Sequence, residues 1–200
     1  MAADKGGPIV ERRGFFPRLW RRLSTPSATW SVLALACIGL VIGAGGVIAT
    51  QVMVAATGTN EFCGGACHSM RWVANEYRQT GHYANRTGVR AGCHDCHIPH
   101  AYPELLWYKA KAGIKDAIAE ARGVISTEEQ FRKERLRLAK AVWAEYRANN
   151  SENCQTCHAF SPAIVAKQKE FVRPMHQQVL DRAATCIDCH KGIAHTAPDE

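Results

Sequence analysis

The stretch AGCHDCHIPH, residues 91–100, contains a close pair of cysteines with a histidine directly after it. The same arrangement occurs three more times along the 200-residue chain. The four clusters use eight of the nine cysteines, and they end at His68, His97, His158 and His190. Disulfide pairing alone gives no reason for a histidine after every pair. The pattern therefore indicates a repeated site that uses two thiols and an imidazole together.

The sequence C-x-x-C-H is the attachment signature of c-type haem, in which two thiols bind the porphyrin and the histidine binds the iron. Three clusters match it in full, with the cysteine pairs Cys93/Cys96, Cys154/Cys157 and Cys186/Cys189. A zinc site favours two ligand pairs that close one tetrahedron, whereas each pair here has its own histidine. Iron–sulfur clusters need four cysteines in characteristic runs, which are absent from this sequence. The clusters therefore favour four covalently bound c-type haems over both alternatives.

The first cluster, CGGACH, has three residues between Cys63 and Cys67 where the others have two. Gly64 and Gly65 are free to adopt positive φ angles. We therefore expect the surplus residue to bulge without displacing either sulfur, so that the site still binds haem through both thiols. The alternative is a site with one thioether or with no haem.

Haem that only transfers electrons usually has both axial positions of the iron filled by the protein. Four histidines outside the clusters are candidates for these positions: His82, His100, His176 and His195. They recur in the same order in each half of the chain, which indicates a duplicated dihaem unit. His94 has no place in this repeat. Met70 follows His68 by two residues and either competes with it for the iron or only packs against the ring.

Residues 30–56 contain no charged side chain. The segment is 27 residues long, which exceeds the roughly 20 residues that a helix needs to cross a bilayer. A cleaved signal peptide, the alternative, has a shorter apolar region of about 7–15 residues. Residues 1–29 carry six basic and two acidic side chains, and by the positive-inside rule they stay in the cytoplasm. We expect a single-pass protein of the cytoplasmic membrane with a periplasmic haem domain.

The net charge of +7 is concentrated before the apolar segment, since residues 57–200 hold 19 basic and 16 acidic side chains, or +3. This distribution argues against nucleic acid as a partner. Residues 103–149 lack cysteine and histidine and are predicted to form two helices. The first begins at Pro103, which suits a first helical turn. The second follows a capping box in STEEQ, residues 126–130.

The predicted fold class is α, with a single N-terminal transmembrane helix and a loop-rich helical tetrahaem domain built from two dihaem halves. The predicted segments are a cytoplasmic basic segment (1–29), a transmembrane anchor (30–56), a first dihaem half (57–102), a helical connector (103–150) and a second dihaem half (151–200). Lys109 and Asp116 lie two turns apart on one face of the connector. That face is either an ordinary solvated surface or a ligand site.

Three stretches, EFC…CHSM, HYANRTGVRAGCHDCHIPH and CIDCHKGIAH, resemble the NapC/NirT (NrfH-like) family of membrane-anchored tetrahaem c-type cytochromes. The resemblance implies oxidation of the membrane quinol pool and electron transfer to a periplasmic terminal reductase or its cytochrome c subunit. Nitrate, nitrite and N- or S-oxides are the implied terminal acceptors. The spacing in CGGAC departs from the family pattern. No added cytochrome domain follows residue 200, which disfavours the longer pentahaem relatives.

The resemblance also implies roles for individual residues. Met70 matches a methionine that binds the first haem in some members, and His82, His100, His176 and His195 match distal iron ligands. Lys109 and Asp116 match the quinol site, where the lysine donates a hydrogen bond and the carboxylate accepts a proton. Two other functions stay open: an electron carrier without its own quinol site, and a quinone reductase in which electrons run in the opposite direction.

Overall fold

The computed structural model describes residues 15–17 and 30–199. Within these residues the regular structure is helical and contains no strand, which confirms the predicted α fold class. The chain divides into two compact units, Met1–Thr50 and Gln51–Glu200. The predicted basic segment lies outside the described residues, apart from the three helical residues 15–17.

Helix α1, Val32–Ala56, contains 25 residues and no charged side chain. Its length of about 38 Å exceeds the roughly 30 Å thickness of a bilayer's hydrocarbon core. None of its residues is buried within the fold, so its leucine, isoleucine and valine side chains need an apolar surrounding. The helix fits the predicted single-pass membrane anchor, and it begins two residues later than the apolar segment.

The unit from Gln51 onward contains nine further α-helices among the described residues. They are α2 (Asn60–Gly65), α3 (Arg71–Tyr77), α4 (Cys93–His97), α5 (Glu104–Ala121), α6 (Glu128–Ala148), α7 (Glu152–Cys157), α8 (Pro162–Val165), α9 (Arg173–Leu180) and α10 (Cys186–Cys189). Short 3-10 turns at His68–Met70 and Glu170–Val172 complete the regular structure there. The two long helices, α5 and α6, connect two groups of short ones.

Both helices predicted in the connector are present. Pro103 directly precedes α5, and Thr127 caps α6. The Thr127 hydroxyl accepts a hydrogen bond from the Gln130 N–H at 3.3 Å, and the Gln130 side chain accepts one from the Thr127 N–H at 3.1 Å. This reciprocal pair is the predicted capping box.

Helix α6 supplies two of the buried apolar side chains in the unit from Gln51 onward, Phe131 and Trp143. Its Phe131 is buried and stacks on Trp72, with ring centroids 5.5 Å apart. The buried apolar side chains of the described residues come from α3, α6, α8 and α10, and they are Ala74, Tyr77, Phe131, Trp143, Val165 and Ile187. Of the short helices that carry the cysteine clusters, α10 supplies a buried side chain, Ile187, and packs against α6.

Hydrogen bonds to the backbone of α4 fix the second cluster against the third. The Tyr146 hydroxyl donates to the Cys96 carbonyl at 2.8 Å. The Asn153 amide donates to the same carbonyl at 2.7 Å and to the Ile98 carbonyl at 3.0 Å. These side chains come from the end of α6 and from α7, so the connector and the third cluster together position α4.

Candidate functional site

The second, third and fourth clusters each form one short helical turn. His97 is the last residue of α4, while His158 and His190 follow α7 and α10 directly. The backbone N–H groups of His158 and His190 donate to the backbone carbonyl oxygens of Cys154 and Cys186, each at 2.9 Å. Because residues three apart lie on one side of a helix, this turn directs both thiols of a cluster the same way.

Each of these three cluster histidines faces a second imidazole. The ring centroids are 6.2 Å apart in the pairs His97–His195, His82–His158 and His176–His190. A metal-bound imidazole nitrogen lies about 2 Å from the metal and its ring centre about 1 Å further out, so two axial imidazoles have centres about 6 Å apart. The observed spacing therefore fits an iron between the two rings of each pair.

The pair His97–His195 is held in the neutral form that binds metal. Burial, and to a smaller extent the nearby His195, lower the pKa of His97 to about 4. Burial also lowers the pKa of His195. Metal ligation requires a deprotonated imidazole nitrogen, so both rings have the protonation state that an axial ligand needs at neutral pH.

An ion pair fixes the residue after His195. Arg135 donates to the two carboxylate oxygens of Glu76 at 2.7 and 2.6 Å, and it also donates to the Thr196 carbonyl. The Thr196 N–H in turn donates to Glu76 at 3.1 Å. The side chains of Arg135 and Glu76 are only 19% and 23% exposed. The pair therefore ties the segment carrying His195 to α3 and α6.

The thiols of successive clusters lie close to one another, and all eight are free. The interacting thiols are Cys63 with Cys93, Cys96 with Cys154 and Cys157, and Cys154 with Cys186. The hydrogen bond with Cys93 lowers the pKa of Cys63 to about 7, although burial opposes this shift. The four clusters thus follow one another in space in the order of the chain.

The first cluster has a different backbone. Helix α2 ends at Gly65, between the two cysteines, and Cys67 is extended with φ −115° and ψ 127°. Gly64 and Gly65 lie within α2, and neither is among the described glycines with positive φ. The predicted glycine bulge is therefore wrong. The surplus residue is accommodated because the helix stops and His68 begins a separate 3-10 turn.

His68 faces a carboxylate. Its Nδ1 lies 2.5 Å from Glu120 Oε1, and its backbone N–H donates to the same oxygen at 2.8 Å. The Ser69 hydroxyl donates to Glu120 Oε2 at 2.5 Å, and this bond is the largest cause of the lowered pKa of Glu120. Among residues 30–199, no second imidazole forms a ring pair with His68. Sequence reasoning missed Glu120, although its position four residues after Asp116 places it on the same helical face.

Lys109 and Asp116 flank the first cluster from α5. Lys109 is half-buried, and its Nζ donates to the Thr57 carbonyl at 3.1 Å and to the Thr57 hydroxyl at 2.9 Å. Asp116 is exposed. Burial and then Glu120 raise the pKa of Cys67, and the charge of Asp116 adds to this effect. The pair that sequence reasoning selected is thus close to the site where the fold departs from the other clusters.

The remaining candidates lie outside the imidazole pairs. His100 Nε2 is 3.1 Å from the Asp95 carbonyl oxygen, and His94 Nε2 is 3.0 Å from Asp95 Oδ1. Met70 is the last residue of the 3-10 turn that begins at His68, and it is 42% exposed. Within the described residues, the structure therefore brings three of the four distal candidates to cluster histidines and leaves His100 apart.

Comparison with known proteins identifies the family. Residues 25–200 match the N-terminal region of the NapC/NirT cytochrome c family. The chain belongs to the NapC/NirT family. As a NapC/NirT cytochrome it is a c-type haem protein of electron transport, and the resemblance inferred from the motifs is confirmed.

Several individual proteins are similar to this NapC/NirT cytochrome. The cytochrome c-type protein TorC of Escherichia coli (strain K12) is 44% identical over 183 residues, which cover 91% of this chain but only 46% of TorC. The cytochrome c-type protein NapC of the same strain is 40% identical over 196 residues, 96% of each chain. A chain of the solved cytochrome c nitrite reductase NrfHA complex bound to the HQNO inhibitor matches with a TM-score of 0.48 and 23% identity, covering 81% of this chain and 90% of that one.

Proposed function

We propose that this NapC/NirT cytochrome is a quinol dehydrogenase that passes electrons through four covalently bound haems to a periplasmic terminal reductase or its cytochrome c subunit. It acts in the cytoplasmic membrane, with its N-terminus in the cytoplasm and its haem unit in the periplasm. One observation carries the proposal. A half-buried lysine and an exposed carboxylate, Lys109 and Asp116, flank the cluster that directly follows the anchor helix.

The residues present fit four haems. The eight cluster thiols would form the thioether bonds, and the axial pairs would be His97 with His195, His158 with His82, and His190 with His176. The common 6.2 Å ring separation supports this assignment. When bound, haem supplies the one-electron redox chemistry, while the protein sets its position and its ligands. The adjacency of successive thiols supports electron transfer in the order of the chain.

The first site would bind its haem through Cys63 and Cys67, with His68 or Met70 as the ligand on the near side. The other three cluster histidines each face an imidazole, whereas His68 faces the Glu120 carboxylate. Without a second strong protein ligand, one side of a haem held here would be open to a substrate. This difference supports the first cluster as the point where quinol donates electrons.

Quinol oxidation releases two electrons and two protons, and the residues of α5 are suited to the protons. Lys109 exchanges one of its hydrogen bonds with Thr57 for one to a quinol oxygen. Asp116 accepts the hydroxyl protons one after the other, as a general base placed within reach. Because Asp116 is exposed, it releases each proton to water before accepting the next.

The test is rapid-mixing reduction of the full-length protein in lipid nanodiscs by menadiol, followed at the haem absorption bands. We expect Asp116→Asn to slow the reduction by about 10²-fold or more, in the range of general acid–base catalysis. Lys109→Met should slow it as well. Reduction by dithionite should be unchanged in both variants, because it needs no quinol site.

Two substitutions serve as matched controls. Lys111→Met removes an exposed lysine two residues from Lys109, and Glu129→Gln removes a carboxylate that is 77% exposed on α6. Neither should change the rate with menadiol. A normal rate in Asp116→Asn would reject the quinol site and favour an electron carrier that receives electrons from another protein.

A further inference from the structure

One face of α5 is apolar and uncovered in the described structure. Trp107 is 73% exposed, Ile114 is 64% exposed and Ile118 is 46% exposed. At 3.6 residues per turn, these three side chains lie within about 40° of one another around the helix axis. They form a continuous apolar stripe, which is unusual on the water-facing side of a protein.

The stripe points away from the first cluster. Lys109, Asp116 and Glu120 lie on the face of α5 that contacts the cluster, about 160° around the axis from the stripe. A third face contacts α6, where the Tyr108 hydroxyl donates to Glu145 Oε2 at 3.3 Å. The apolar stripe is therefore not the face that packs on α6 or on the site that would hold the first haem.

The second long helix shows what an ordinary solvated face looks like in the same connector. The exposed side of α6 carries ion pairs one turn apart, Glu128–Arg132 at 2.6 Å and Glu129–Lys133 at 2.8 Å. No comparable pair lies along the stripe of α5 in the described residues. The two helices thus expose different chemistry, and only α6 has a surface adapted to water.

Two contacts fix α5 beside the end of the anchor helix. The Tyr102 hydroxyl, two residues before α5, donates to Gln51 Oε1 in the last turns of α1 at 3.1 Å. Lys109 binds Thr57, the residue after α1. Gln51 and Thr57 are polar residues at the end of the apolar span, where a membrane-crossing helix leaves the hydrocarbon core. The first half of α5 is consequently held within side-chain reach of the headgroup region.

We infer that α5 lies in the membrane interface and inserts Trp107, Ile114 and Ile118 into the boundary between headgroups and acyl chains. Tryptophan is enriched at this depth, and interfacial helices combine an apolar stripe with lysines on the polar side. Lys111 and Lys115 are exposed on α5 and adjoin the stripe, where they can reach anionic headgroups. The inference rests on the membrane anchor and does not depend on quinol oxidation.

The test uses the full-length haem-loaded protein in nanodiscs of phosphatidylcholine and phosphatidylglycerol that contain a lipid with a diazirine near its headgroup. After irradiation, peptide mass spectrometry locates the lipid adducts. We expect adducts at Trp107, Ile114 and Ile118 at about fivefold or more the yield on Arg132 and Lys133, which are exposed on α6. A parallel sample treated with a water-soluble diazirine should show the reverse order.

Paired variants keep the outcome interpretable. Ile114→Glu with Ile118→Glu should reduce lipid adducts at Trp107 severalfold, whereas Ala144→Glu with Ala148→Glu, exposed at the same spacing on α6, should leave them unchanged. Labelling of the stripe by the water-soluble reagent alone would place it in water and overturn the inference. Labelling by neither reagent would mean that haem, a second copy or a partner protein covers the stripe, which would also overturn it.

Discussion

The first cysteine cluster has one more residue between its cysteines than the other three, and its environment differs from theirs. Where two residues separate the cysteines, the cluster is one helical turn and its histidine faces a second imidazole at 6.2 Å. Where three separate them, the helix stops at Gly65 and His68 faces the carboxylate of Glu120. The inserted residue thus accompanies the difference between a candidate entry site and three candidate electron relays.

The comparison also shows that the relays depend on distant parts of the chain. His82 precedes the second cluster but faces His158 of the third, and His195 follows the fourth cluster but faces His97 of the second. Two of the three ring pairs therefore join residues from different halves of the sequence repeat. Neither half of the repeat contains a full set of imidazole pairs by itself.

The largest expected effect comes from removing a facing imidazole. His82→Ala, His176→Ala or His195→Ala should each convert one of the proposed four haems from low spin to high spin, since its iron would lose a strong axial ligand. Electron paramagnetic resonance of the oxidised protein and carbon monoxide binding to the reduced protein measure this change. His100→Ala is the matched control and should leave the spectrum unchanged. A spectral change in His100→Ala as large as in the other three would contradict the pairing.

A smaller effect, on the free energy of unfolding, is expected when the Arg135–Glu76 ion pair that supports the segment carrying His195 is broken. Arg135→Met breaks hydrogen bonds to Glu76 and Thr196 in a partly buried ion pair, and it should cost about 1.5–3 kcal/mol, the range for hydrogen bonds to charged groups. Thermal unfolding in detergent measures the loss. Arg132→Met removes a 73% exposed arginine on the same helix, so it should change stability by no more than about 0.5 kcal/mol. Equal melting temperatures for the two variants would refute the supporting role.

The two glycines of the first cluster should respond oppositely to alanine. A Cβ at Gly64 would lie 2.8 Å from the Ala74 Cβ, so Gly64→Ala forces α2 away from α3 and should cost about 1–3 kcal/mol. Gly65 has no atom within 4 Å of a built Cβ and lies at the end of a helix. Gly65→Ala should be neutral or stabilise by up to about 1 kcal/mol. Melting temperatures that fall equally would show that the close approach of the two helices does not matter.

The smallest effect should be confined to the first site. Glu120→Gln removes a negative charge that contacts His68 while it preserves the size of the side chain. Since a carboxylate near an iron favours the oxidised form, the midpoint potential of one haem should rise while the other three stay constant. Spectroelectrochemical titration measures the four potentials. Glu129→Gln, exposed on α6, is the control, and a shift of several haems in Glu120→Gln would show that the carboxylate does not act locally.

Local sequence patterns by themselves determined the anchor segment, the cysteine clusters and the helices of the connector. The uncharged run at 30–56 and the four Cys–Cys–His clusters require only neighbouring residues, so they can be read directly from the chain. The capping box at Thr127 and the shared face of Lys109 and Asp116 follow from helical periodicity in the same way. These features sufficed to predict the α fold class, the anchor and the family.

Tertiary structure decided the rest, because it depends on which distant residues meet. The sequence named four distal candidates but could not show that three of them face cluster histidines and that His100 does not. It suggested a glycine bulge where the helix in fact ends, and the place of Glu120 on the Asp116 face did not show that it would contact His68. A ring pair such as His97 and His195, 98 positions apart in the chain, forms only when α3 and α6 hold the C-terminal segment in place.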